Sequence, residues 1–218
     1  MKLLFYFFIL FSTSITTLAQ IPIRHQVAIP RIADSTDIAY YSKNNWYRAG
    51  GITVGFNVGL WTFDRYVKKG DYAYISLNSM RRNFKKGFIW DNDNLETNMF
   101  AHPYHGNLHF NAGRANGLNY WESGGLALAG SAMWEIFMEN EYPSTNDIIA
   151  TPIGGMAIGE VFFRTSDLIL DDRQTGPSRF GLEFASFLIS PMRGLTRIMT
   201  GDAWKKEIPL VNNLVFLM

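Results

Sequence analysis

Ser144-Thr-Asn-Asp-Ile-Ile-Ala-Thr-Pro-Ile-Gly-Gly-Met-Ala-Ile-Gly-Glu160 is the stretch that decides the fold class of this 218-residue chain. It opens with a variant of the capping box, because Ser144 offers a hydroxyl to the first free amides of a helix and Asp147 follows three residues on. An apolar run without period-2 alternation comes next, from Ile148 to Gly159. This pattern predicts a helix that reaches about Leu168.

The segments on both sides of this helix are also predicted to be helical. None shows the sustained alternation of a strand. We therefore predict an all-α fold, a compact bundle of about five to six helices. The other predicted helices cover approximately residues 71–87, 103–117, 123–139, 178–189 and 191–199.

The N-terminus has the features of a secretory signal peptide. Lys2 precedes an uncharged core that runs from Leu3 to about Ile15, and small residues stand at Thr17 and Ala19. We predict a cleaved signal peptide at 1–19, an irregular leader at 20–50 and one helical domain at 51–205. Residues 206–218 are interpreted as an apolar tail or as the start of a further C-terminal region.

Composition narrows the classes of function. The chain has no cysteine, which excludes disulfides and thiolate metal sites and leaves histidine, carboxylate and amide groups as ligands. The net charge of +1 and the lack of a nucleic-acid motif argue against a nucleic-acid partner. The uncharged run from Ala49 to Phe63 is shorter than the roughly 18 residues that a membrane span needs, which disfavours spanning.

Small residues recur at helical spacing in two of the predicted helices. They are Gly125 and Ala129 in one helix, and Thr151, Gly155 and Gly159 in the next. Such residues let helix backbones approach closely, in membranes and in tight soluble bundles alike.

Three of the four histidines lie between His102 and His109. His105 and His109 have the i,i+4 spacing of paired zinc ligands on a helix, and Pro103 is expected to keep His102 out of the helical region. Glu135 and Glu160 are single carboxylates in the next two apolar helices, and all of these side chains are predicted to converge on one interior site. The candidate residues are Glu135 and Glu160 for catalysis; His102, His105, His109, Asn146, Asp147 and Arg164 for binding; and His105, His109 and Glu135 for zinc or a similar divalent metal.

Two functions fit this interior group. As a hydrogen-bonded network it would fix the helix register of a structural module, which is the preferred interpretation. As a metal centre with an open position for water it would make the chain a hydrolase of an envelope ester or amide. Whether the protein is an enzyme stays open at this point.

An amphipathic helix with a basic face is predicted before the histidines. On the helix at 71–87, Tyr74, Leu77, Met80 and Phe84 recur on one side, and Arg81, Arg82, Lys85 and Lys86 occupy the other. This basic face is either solvated or in contact with anionic lipid headgroups.

The following loop, Asp91 to Asn98, alternates oxygen ligands but lacks the glycine and terminal glutamate of a calcium loop, so no calcium site is predicted.

Several blocks of the chain together resemble an uncharacterised bacterial cell-envelope family, known only as a domain of unknown function. The resemblance covers about half of the chain and implies a protein exported to the periplasm or outer membrane of a Gram-negative bacterium, with no established reaction. We therefore expect an exported structural or membrane-associated module whose partner is a membrane surface or envelope lipid. The blocks are His102-Pro-Tyr-His-Gly106, Trp134-Glu135, Pro143-Ser-Thr-Asn-Asp147, Thr151-Pro-Ile-Gly-Gly155, Gly159-Glu160 and Ser190-Pro-Met-Arg-Gly194.

Overall fold

A computed structural model describes residues 44–205, and this part of the chain is all-α, as predicted. The predicted signal peptide, the tail and most of the leader lie outside the described residues. Within 44–205 there is no β-strand, and Ile89 and Ser144 form an isolated bridge. The seven α-helices are α1 (Trp46–Phe63), α2 (Leu77–Lys86), α3 (His102–Arg114), α4 (Tyr120–Met133), α5 (Thr145–Ile169), α6 (Gly176–Ile189) and α7 (Pro191–Thr200).

Helix α3 lies at the centre of the bundle. It packs against α1, α4, α5 and α7, and every residue from Gly106 to Asn116 is buried. A π-helical turn, Thr97–Ala101, runs directly into α3 and gives His102 helical backbone angles. The expectation that Pro103 keeps His102 out of the helical region is therefore wrong, because this preceding turn fixes its backbone.

The first helix differs from the sequence-based expectations in its start and in its effect on the helix number. Helix α1 begins at Trp46, capped by the Asn45 side chain, so the predicted leader at 20–50 extends too far. The uncharged run from Ala49 to Phe63 forms most of this helix, which raises the helix number above the predicted five to six. Within the described part of the chain, no helix has both the length and the apolar character to cross a membrane.

Glycines bring α3 and α5 into backbone contact. A Cβ atom added at Gly106 would lie 1.8 Å from the Thr151 carbonyl oxygen, and one at Gly155 would lie 2.3 Å from the Gly106 carbonyl carbon. The close approach predicted for the small residues of α5 is confirmed. The prediction for α4 is wrong, because Gly125 and Ala129 are exposed on the face opposite its neighbours.

Helix α2 turns polar rather than apolar side chains toward the rest of the protein. It begins at Leu77, after a Ser76 cap, rather than near Asp71. Its buried residues are polar: the Asn83 amide donates to the Glu139 carbonyl at 3.2 Å and to the Glu135 and Ile136 carbonyls at 3.5 Å. These carbonyls end a helix and need donors, so Asn83 fixes which side of α2 faces the protein.

Candidate functional site

A polar cluster surrounds the start of α5. Asp93 lies in the loop before α3, His102 lies at the start of α3, and Asp147 lies in the first turn of α5. The His102 Nε2 atom is 3.4 Å from the Asp93 Oδ2 atom and 3.2 Å from the Asp147 Oδ1 atom. Among the described residues, this trio forms the one group of three ionisable side chains whose ligand atoms all lie within 4.8 Å of one another.

Neighbouring side chains hold the cluster in place. The Ser144 hydroxyl caps α5 by accepting from the Asp147 amide at 3.2 Å, which confirms the predicted cap. The Asn146 amide group donates to Asp147 Oδ1 at 3.2 Å and to Asp91, and its oxygen accepts from the Asp91 backbone amide at 3.1 Å. The loop before α3 is thereby tied to α5.

Buried carboxylates surround this cluster. Glu135 is 2% exposed and accepts from the Ser144 amide at 2.8 Å. Burial raises the pKa of Glu135 far above its ordinary value, and the charges of Glu139, Asp147 and Asp91 add to this effect. Burial also raises the pKa of Glu139 and of Asp147. Within residues 44–205, none of these carboxylates pairs with a lysine or arginine.

His105 and His109 lie at a separate place, between α3, α1 and α4. Their ring centroids are 4.6 Å apart, and His105 Nε2 is 3.0 Å from the Asn57 Oδ1 atom. Burial lowers the pKa of His109 to about 3 and holds that of His105 well below its ordinary value, so both rings are neutral. His109 is fully buried, with no hydrogen-bond partner for either ring nitrogen among the described groups.

The structure therefore divides the candidate residues instead of gathering them at one centre. The Glu135 carboxylate binds the start of α5, and His105 and His109 contact Phe56. The tentative metal set of His105, His109 and Glu135 is not brought together, because helix packing turns these side chains toward different neighbours. Of the candidates, His102, Asn146 and Asp147 meet at the start of α5.

Glu160 and Arg164 form a third group. Arg164 Nε donates to Glu160 at 2.7 Å, as the i,i+4 spacing indicates, and the buried Arg114 Nε donates to the same carboxylate at 2.8 Å. Glu160 thus links α3 to α5 in a salt bridge. Glu160 therefore pairs with one arginine on α3 and with another on its own helix, α5.

Sequence reasoning missed Asp93 as a partner of His102. The signal that could have found it is the position of the oxygen-rich loop, directly before α3, so that a short turn returns Asp93 to the first residue of that helix. Tyr142, whose ring lies beside Arg82 and Lys86, was also missed, and no sequence pattern indicates that contact.

A second surface of interest is the α2 basic surface, formed by Arg81, Arg82, Lys85, Lys86 and Tyr142. These residues line one shallow pocket, and all four cationic side chains are exposed. The Arg82 guanidinium and the Lys86 ammonium lie 5.2 and 5.7 Å from the centroid of the Tyr142 ring. Among the residues that the structure describes, none of the four cations forms a salt bridge.

Apolar side chains adjoin the α2 basic surface and are open to solvent. Leu77 is 72% exposed, Phe84 is 63% exposed and Trp90, shortly after α2, is 72% exposed. Leu77 and Phe84 were expected on the packed side of the amphipathic helix, so this part of the prediction is wrong. Helix α2 therefore presents Leu77 and Phe84 to solvent as well as its basic side chains.

Residues 87–192 match the family model described as "Domain of unknown function (DUF3943)". The resemblance to a domain of unknown function is confirmed over this stretch, which contains α3 to α6 and the polar cluster. No curated protein and no solved structure matches the chain.

Proposed function

We propose that this chain is an exported, membrane-associated helical module of the bacterial cell envelope, and that the α2 basic surface contacts anionic lipid headgroups. The observation that carries the proposal is the set of four exposed cations on α2, which have no carboxylate partner within residues 44–205 and stand beside exposed Leu77 and Phe84.

The chemistry of α2 suits a lipid interface. A lysine or arginine near an anionic surface contributes about 1 kcal/mol of attraction, so four of them provide substantial binding. Exposed leucine, phenylalanine and tryptophan side chains gain further free energy by entering the boundary between headgroups and acyl chains. Helix α2 combines both contributions in ten residues.

The distribution of polarity over the rest of the bundle supports the same proposal. Asn57, Asn107 and Asn111 are almost fully buried, whereas Val58, Ile153 and Phe180 are exposed. Tight small-residue contacts between helices accompany this pattern. A polar interior, an apolar exterior and small residues at helix contacts are features of proteins that contact lipid.

The metal-dependent hydrolase has less support, because among residues 44–205 the predicted ligands His105, His109 and Glu135 do not form a common centre. The membrane-associated interpretation is supported by the exposed cations of α2 and by exposed Leu77 and Phe84.

Vesicle sedimentation tests the proposal. The protein is expected to bind phosphatidylcholine vesicles that contain about one third phosphatidylglycerol, and the double variant Arg81→Glu/Lys85→Glu is expected to bind them at least about tenfold more weakly. The reason is that two attractive charges become repulsive. Raising the salt concentration to about 0.5 M should weaken wild-type binding as well.

The matched control is Lys69→Glu/Arg173→Glu, which has the same net charge as the α2 variant but changes exposed residues elsewhere. This control should bind almost as well as the wild type. Equal binding by both double variants, or no binding of the wild type, would contradict the proposal.

A further inference from the structure

We infer that Asp93, His102 and Asp147 form a binding site for a divalent transition-metal ion such as Zn²⁺. Their ligand atoms all lie within 4.8 Å of one another, and the His102 Nε2 atom is 3.4 Å from Asp93 Oδ2 and 3.2 Å from Asp147 Oδ1, close to the spacing of two atoms bound to one ion. Imidazole nitrogen and carboxylate oxygen bind zinc at about 2.0–2.2 Å, so small adjustments of three side chains suffice. This site goes beyond the proposed function, because it lies on other residues than the α2 basic surface.

The charges around the trio favour a cation. Asp147 is 4% exposed and Glu135 is 2% exposed, and neither pairs with a lysine or arginine within residues 44–205. The charges of Asp91 and Glu139 act on Glu135, and the charge of Asp147 acts on Glu139. Because buried carboxylates without a lysine or arginine partner are costly, a divalent ion bound here would offset their mutual repulsion.

The surroundings of the trio suit an ion that enters from solvent. The Asp93 side chain is 42% exposed, so one ligand is accessible from outside. Asp147 is held by Asn146 and by the Ser144 cap, which orient its carboxylate before an ion arrives. Such outer contacts raise the affinity of a metal site because less ordering is needed on binding.

Calorimetric titration of the full chain with ZnCl₂ tests the inference. The protein is prepared without an affinity tag and dialysed against a chelator first. We expect one saturable site and a higher melting temperature with Zn²⁺ present, since an ion that binds only the folded state stabilises it. Asp93→Asn and His102→Gln should each weaken binding by about tenfold or more, because each removes a ligand.

Two comparisons make the result decisive. Asp93→Asn changes an exposed side chain, so its melting temperature without Zn²⁺ should equal that of the wild type, and its loss of binding cannot come from misfolding. His25→Gln removes the histidine outside the described residues and should leave the affinity unchanged. No saturable binding, undiminished binding by Asp93→Asn, or a loss of binding in His25→Gln would overturn the inference.

Discussion

Replacing Gly106 with alanine is expected to lower the free energy of unfolding by about 3 kcal/mol or more. The new methyl carbon would lie 1.8 Å from the Thr151 carbonyl oxygen and 3.2 Å from the Gly155 Cα atom. Both neighbours are backbone atoms of α5, so no side-chain rotation relieves the overlap, and α3 and α5 must separate. Urea unfolding followed by circular dichroism measures the change.

Gly125→Ala is the matched control. Gly125 also lies inside a helix, but nothing stands within 4 Å of the position that its Cβ would occupy. Alanine is favoured over glycine in a helix by about 0.5–1 kcal/mol, so this variant should be as stable as the wild type or slightly more stable. If Gly106→Ala unfolded at the same urea concentration as Gly125→Ala, the α3–α5 contact would not be as described.

The second large effect concerns Glu135 and depends on pH. The folded-state pKa of Glu135 is raised above the value of 4.5 that an unperturbed glutamate has. A raised carboxyl pKa means that the folded state loses stability as the pH rises from the unfolded value through the folded one. Glu135→Gln cannot ionise, so it should equal the wild type near pH 5 and exceed its free energy of unfolding by at least about 1.4 kcal/mol near pH 8.

Glu135→Ala separates the charge from the hydrogen bond. It leaves the buried Ser144 amide without its acceptor and should cost about 1–3 kcal/mol near pH 5, where Glu135→Gln costs little. Thermal or urea unfolding at both pH values gives the four differences. If the stabilities of Glu135→Gln and the wild type differed by the same amount at both values, Glu135 would not titrate as a buried carboxyl.

The fold class was predictable because its signals are local. The Ser144 cap and the apolar run that follows it indicate α5, and the structure has a helix at Thr145–Ile169. The i,i+4 pair of Glu160 and Arg164 is also a local feature that forms as expected. Such contacts depend on neighbours within one helical turn, which the sequence itself supplies.

The composition of the site was less predictable because it depends on helix packing. Spacing placed His105 and His109 on one face of a helix, but the neighbours of that face proved to be Asn57 and Phe56 rather than Glu135. The side of α2 that faces the protein also depends on packing, so the sequence did not predict it. Its hydrophobic pattern indicates that Leu77 is packed, whereas the hydrogen bonds of Asn83 to backbone carbonyls between Glu135 and Glu139, far along the chain, turn Leu77 outward.

The contact of α2 with anionic lipid is tested most directly by a fluorescent label at Leu77. Because the chain has no cysteine, Leu77→Cys can be labelled uniquely with an environment-sensitive dye, and Gln174→Cys provides an exposed control position. The account predicts a blue-shifted, brighter emission at position 77 on addition of phosphatidylglycerol vesicles, with a much smaller change at position 174. Unchanged emission at position 77, or the same change at both positions, would contradict it.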